Sequence, residues 1–257
     1  MKKILTFFAA AAMLTAAATA QVSADVAEKC YKILEAADEL SPKKGDYSFT
    51  QTEIIEKPGK PKENVQYKVF GRVVKGKASM GTAVQIFPEA DKGHGLLLVD
   101  DHVWEYDSVS RKFTHKTLKE KIGNSNTSIG DMLEDDDKWR VNYDVDAYED
   151  GMLGKIPVDI ITLKAKTSEP EFSKERYYIR KDIPLCLKKE GLTSSGRLMQ
   201  TILLPKYTKV PNGYLAVQGL YRDELNKGEQ TQVVVSDLTF DTIPDKVFTK
   251  AYLEGLN

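Results

Sequence analysis

Histidines, cysteines and clustered carboxylates are the side chains most apt to do chemistry, and their spacing in this 257-residue chain decides what they could do. His94, His102 and His115 are the three histidines. No two stand at the helical spacing of a metal site, and no Cys or acidic zinc motif accompanies them. As strand residues they would converge only through an accident of register. Gly71-Arg72-Val73-Val74-Lys75-Gly76-Lys77-Ala78 nearly spells a phosphate-binding loop. It lacks the Ser or Thr that binds magnesium, its interior is β-branched, and no helix follows to aim its N-terminus at phosphate. It reads as a strand and a hairpin turn. Asp144 to Gly151 hints at a calcium loop, but Tyr148 occupies an oxygen-ligand position and the Gly comes two places late, so a solvated strand end fits better. Thr193-Ser194-Ser195-Gly196 is turn-like and has no visible base beside it. The acids Glu134 to Asp137 read as a solvated loop. Nothing here organises a catalytic group, so the expectation is a protein that is not an enzyme and needs no cofactor.

Cys30 and Cys186 leave two readings open. They could bridge the N-terminal helix to a distant strand, or remain isolated buried thiols, since both have apolar neighbours.

The elements that would position these residues follow from periodicity. Asp25 to Leu40 reads as a helix, with Val26, Tyr31, Ile33, Leu34, Ala37 and Leu40 mostly three or four apart and Ser41-Pro42 ending it. Thereafter the period is two. Candidate strands are 47–55, 65–73, 80–86, 96–99, 102–107, 113–118, 139–145, 158–165, 177–180, 185–189, 197–204, 214–218 and 232–240. Some of these runs should merge, leaving about eleven short antiparallel strands. Thr127 or Ser128 could cap a short middle helix containing Ile129, Met132 and Leu133, and Pro244-Asp245 opens a final helix. The expected fold is mainly β: one large curved antiparallel sheet, a half-open barrel, wrapped around a few helices, with both terminal helices filling its concave face.

The N-terminus reads as an export signal. Lys2 and Lys3 precede an uncharged, largely apolar run from Ile4 to Ala18, and Ala18-Thr19-Ala20 and Val22-Ser23-Ala24 both offer small-x-small cleavage sites. Residues 1–24 are therefore expected to be removed, leaving 25–257 as a single domain in the periplasm. No Cys lies where acylation would require one. Cleavage would remove two lysines and no acids from 37 basic and 38 acidic residues, so the mature chain is mildly acidic. No basic stripe points to nucleic acid.

Leu96-Leu97-Leu98-Val99, Ile160-Ile161 and Ile202-Leu203-Leu204 put apolar side chains on both faces of their strands, where a one-sided sheet needs only one. Either the terminal helices cover the second face, or part of it lines a cavity for acyl chains. Such a cavity gains about 0.8 kcal/mol per buried methylene and needs no catalytic residue.

Several segments resemble the LolA-like outer-membrane lipoprotein-sorting family. These are Gly71-Arg72-Val73-Val74, the stretch from Gly95-Leu96-Leu97-Leu98-Val99 through Asp100-Asp101 to Trp104-Glu105-Tyr106-Asp107, Thr127 to Asp131 with Glu134-Asp135, and Ile243-Pro244-Asp245-Lys246-Val247-Phe248-Thr249. The resemblance implies a half-open barrel whose apolar concavity shields lipid chains. Its cargo would be an acylated lipoprotein or lipid, taken from an inner-membrane transporter to an outer-membrane acceptor. Ser108 departs from the family's Pro, and Gly76-Lys77-Ala78 stands where a Lys-Arg-Pro run carries the arginine that tethers a lid. Lys77 is the candidate tether, without the guanidinium's planar fork. The expected cavity lining is Val69, Val73, Met80, Val84, Leu96, Leu98, Trp104, Tyr106 and Met132. The alternatives are an envelope scaffold that uses the same sheet for protein contacts, its concavity filled by helices, and a hydrolase of lipid substrates.

Overall fold

The computed structural model describes residues 22–41, 45–74, 79–99, 102–130, 139–168, 170–211 and 213–256. Residues 1–21 of the expected export signal, the candidate tether Lys77 and the candidate lining residue Met132 lie outside them, whereas Ser23 and Ala24 form the start of the first helix. The chain forms helix α1 (Ala24–Glu39), then β1 (Gly45–Glu56), β2 (Glu63–Val73), β3 (Met80–Phe87), β4 (Gly95–Val99), β5 (His102–Asp107) and β6 (Lys112–Lys116). A short helix α2 (Trp139–Asn142) leads into β7 (Tyr143–Leu153), β8 (Ile156–Ala165), β9 (Lys174–Arg180), β10 (Cys186–Leu192), β11 (Leu198–Val210), β12 (Gly213–Asp223) and β13 (Gln230–Thr239). A 3-10 turn, Asp245–Phe248, and helix α3 (Lys250–Glu254) follow.

The strands make one antiparallel sheet in the order β6-β5-β4-β3-β2-β1-β13-β12-β11-β10-β9-β8-β7. It is two sequential meanders joined where β1 pairs with β13, and β6 and β7 are its two open edges. All thirteen candidate runs are thus separate strands, not about eleven. The breakers between them hold: left-handed backbone at Gly59, Gly154, Gly196 and Gly228 lets neighbouring strands reverse direction instead of merging.

Register assigns each residue to a face. Phe49↔Val69, Val69↔Ala83, Ala83↔Leu96 and Leu98↔Val103 share one face; Thr82↔Leu97 and Leu97↔Trp104 share the other. The first face, here called inner, carries α1 at the β7–β9 end. Cys30 and Leu34 of the helix pack there against Tyr143, Ile161, Leu163, Tyr177 and Ile179. Ser23 Oγ caps α1 by accepting from Val26 N, and Arg140 of α2 ties it down through Glu28 and Glu35, each 2.6 Å away. The far end of α1 docks on β12, where Tyr214 N donates to Leu40 O at 2.6 Å. Gly213 permits this approach, since a Cβ there would stand 1.9 Å from the Leu40 oxygen.

Residues 117–130 cross the middle of the same face. Asn124 donates to Glu63 at the end of β2, while the Asn126 carbonyl accepts from Gln200 of β11. Those strands lie four places apart, about 19 Å in a flat sheet. Two residues of one turn reach both because the sheet curls around them.

Two expectations are corrected. The C-terminal helix does not fill the inner face: Leu253 and Tyr252 pack with Val84, Leu97 and Tyr106 on the outer one. Trp139 and Val141 belong to α2 rather than to a strand. Trp139 Nε1 donates to Asp38 of α1, and that docking turns the backbone helical before β7 begins. Ser128 pairs with Lys121 in an isolated β-bridge, and the body of the expected middle helix, with Met132 and Leu133, lies outside the described residues.

Leu34 is 1% exposed and Val141 70%. Leu34→Ala should lower the unfolding free energy by about 2–5 kcal/mol in urea titration, whereas Val141→Ala should stay within about 0.5 kcal/mol of the parent. Equal effects would refute the placement of α1.

Candidate functional site

Between the inner face and residues 122–124 lies a cavity of about 450 Å³. Its apolar wall is Ile55, Val65, Tyr67, Leu96 and Ile122, and its rim carries Glu63, Asp91, His94 and Glu105. The volume falls within the roughly 300–1,000 Å³ typical of small-molecule sites. Glu105 is held by Lys116 at 3.1 Å, and His94 Nδ1 sits 2.9 Å from both the Ser108 hydroxyl and the Asp91 carbonyl. A second hollow, about 480 Å³, lies between α1 and the β8–β9 strands. Lys29, Lys32, Arg180 and Lys181 line it together with Asp25, Glu28 and Asp159, beside Ile33, Ala36 and Pro184.

Beside the apolar cavity the inner face turns polar. Gln51 Nε2 donates to Glu53 Oε1 at 2.9 Å, and the Ser125 hydroxyl also reaches this carboxyl. Asn126 N donates to Thr231 Oγ1 at 2.8 Å, and Gln200 Nε2 donates to Asn126 O at 3.3 Å. Glu53 is wholly buried, and burial pushes its carboxyl up to about 7. Glu53 Oε2, Asn126 Nδ2, Thr127 Oγ1 and Gln200 Oε1 are buried without hydrogen-bond partners among the described residues. Four such atoms in one bonded cluster are the setting in which buried water is found.

A family model with the description "Uncharacterized protein"-like matches residues 80–255, more than half of the chain. The chain belongs to that family. A putative outer-membrane lipoprotein-sorting protein domain from Vibrio parahaemolyticus is similar over 89% of this chain and 99% of its own, at 19% identity and a TM-score of 0.76. A DUF1329 family protein from Desulfovibrio piger gives 20% identity over 88% and 98% of the two chains, with a TM-score of 0.76. A LolA superfamily protein from Nitrosomonas europaea gives 18% identity over 86% and 97%, with a TM-score of 0.70. The fold is LolA-like. Among curated proteins, none matches.

Within this LolA-like fold the expected lining residues part company. Val69, Val73, Leu96 and Leu98 lie on the inner face, where Val69, Leu96 and Leu98 join the cluster of Ile122 and Ile129, and Leu96 borders the cavity. Met80, Val84, Trp104 and Tyr106 lie on the outer face. There Val84, Trp104 and Tyr106 pack beneath α3, and Met80 packs against the cluster of Ile243, Val247 and Phe248. Period two yields two sets per strand, and here both sets are apolar because both faces are covered. Cys30 and Cys186 are free thiols. They share the cluster beneath α1, and burial pushes Cys30 up to about 11 and Cys186 up to about 12, which keeps both as unreactive thiols.

Sequence reasoning missed Arg72. Its guanidinium meets Asp46 at 2.7 Å and Asp245 at 2.5 Å, donates to the Ile243 carbonyl, and lies 4.8 Å from the Phe248 ring centre. Arg72 thereby clamps the C-terminal turn to β1 and β2 and holds the Asp46 carboxyl below its usual range. The signal in the sequence was a single charge, Arg72, within the otherwise uncharged run from Val69 to Val74.

Glu53 ties the cluster to pH. Its folded value of about 7 lies above the ordinary 4.5, so the folded protein holds this proton over a range where the unfolded chain has lost it. The associated stability is present at low pH and is lost as pH rises towards 7, by about 3 kcal/mol. Glu53→Gln should flatten that decline, so that the variant gains on the parent between pH 4 and pH 8 in thermal unfolding. Parallel pH profiles would show that the carboxyl is not buried.

Proposed function

We propose that this protein is a periplasmic carrier, which shields acyl chains of a lipoprotein or another lipid in the inner-face cavity during passage to the outer membrane. The observation that carries this reading is the apolar wall of Ile55, Val65, Tyr67, Leu96 and Ile122, enclosed by a curled sheet and a crossing segment. Such a wall binds by desolvation alone, at about 0.8 kcal/mol per methylene. It asks for no nucleophile, metal or cofactor, in keeping with a rim whose polar groups already bond one another. The LolA-like fold and the small-x-small export signal support the same reading. Its partners would be an acylated lipoprotein or lipid, a transporter at the inner membrane and an acceptor at the outer one.

One observation favours a second reading, an envelope scaffold. α1 and residues 117–130 already cover much of the inner face, and a scaffold would use the rest as packed core.

A fluorescent fatty-acid displacement assay separates the two. Leu96→Arg should weaken acyl binding by more than about tenfold, because excluding two methylenes already costs that much. Trp104→Ala, on the opposite face, should leave the affinity unchanged, and added salt should matter little. No measurable binding by the parent protein would favour the scaffold, and equal loss in both variants would misplace the site.

A further inference from the structure

On the outer face, His102 of β5 and His115 of β6 have been brought together by strand register. Trp104 pairs with His115, so His102 stands diagonally across from it. His102 Nδ1 lies 3.3 Å from His115 Nε2. That separation is longer than a good hydrogen bond, yet it matches a metal's requirement. Two nitrogens each about 2.0–2.1 Å from a tetrahedral zinc stand about 3.3–3.4 Å apart. Both rings are exposed, so no desolvation or repacking opposes entry of an ion. The rings are also held in place. His115 abuts the edge of Trp104, with centroids 5.1 Å apart and planes at 84°, while Lys250 of α3 sits on the Trp104 ring with its ammonium 3.2 Å from the centroid.

We propose that His102 and His115 form a two-histidine site for a borderline transition-metal ion of the zinc, copper or nickel class, to which neutral imidazole is the matched ligand. The ligating atoms are His102 Nδ1 and His115 Nε2, with the ring protons on His102 Nε2 and His115 Nδ1. Among the described residues no third His, Cys, Asp or Glu completes the set. Two histidines leave further coordination positions for water or another ligand. Binding clips the edge strand β6 to β5 at the open margin of the sheet. The site lies on the opposite face from the acyl cavity and stands whether or not the carrier reading does.

Trp104 makes the test direct, because copper(II) bound one ring away quenches indole fluorescence. Titration of the full mature protein with Cu2+ should show saturable quenching at one equivalent, reversed by excess EDTA. His102→Ala and His115→Ala should each weaken it by at least about tenfold, since even the outer-shell partners of ligating histidines are worth that much. The exposed positions of both rings should leave the thermal midpoint of the metal-free variants at the parent's value. Quenching that is identical in the parent and in both variants, or absent from a parent whose unfolding is normal, would overturn the site.

Discussion

A wholly buried carboxyl, Glu53, sits on β1 where the two meanders of the sheet meet, and residues 125–127 close over it. Burying an acid is costly unless it is neutral or well bonded. This one is held by Gln51 and Ser125 and raised towards neutrality, while the backbone of the covering turn bonds Thr231 and Gln200. The geometry of the inner face follows from that polar anchor. It fixes residues 117–130 across the sheet, draws strands four places apart around one turn, and leaves the apolar cavity beside Ile122 as the space the turn does not fill. A fully apolar filling would pack at no desolvation cost, but it would not fix where the turn must sit.

The outer face is organised by a different device. Arg72 gathers Asp46, Asp245 and the Ile243 carbonyl, so the C-terminal turn and α3 lie down over Val84, Leu97 and Tyr106. Strands β3 to β5 are consequently covered on both sides, which is why Leu96-Leu97-Leu98-Val99 shows no polar alternation. The two covers do different jobs. The outer one packs flush, with Leu253 fully buried, and the inner one leaves a gap.

Much of this was legible in the sequence. The three- and four-residue spacing of Val26, Ile33, Leu34 and Ala37 specifies α1, and breakers such as Pro58-Gly59 and the Pro88 to Gly93 turn separate successive strands. The hairpin from Gly95 to Asp107, which carried the LolA-like resemblance, is β4 and β5. What alternation cannot supply is the sense of each face. Trp104 and Tyr106 are as apolar as Leu96 and Leu98, and only the register across β3, β4 and β5 sets them on opposite sides. The polar anchor was hidden for the same reason: Thr50-Gln51-Thr52-Glu53 reads as solvated strand until the partner turn, far along the chain, is placed over it. The convergence of His102 and His115 likewise depends on the pairing of β5 with β6, which spacing alone does not fix.

The claim that most needs direct contact evidence is that an acyl chain lies between the inner face and residues 122–124. Photocrosslinking of the mature protein with a diazirine-bearing fatty acid, with the labelled peptides mapped by mass spectrometry, measures it residue by residue. Label should concentrate on peptides containing Val65 and Tyr67, Leu96 and Ile122, and excess unlabelled fatty acid should compete it away. Label that falls instead on Trp104, Tyr106 and α3, or that spreads without competition, would contradict a cavity for acyl chains on the inner face.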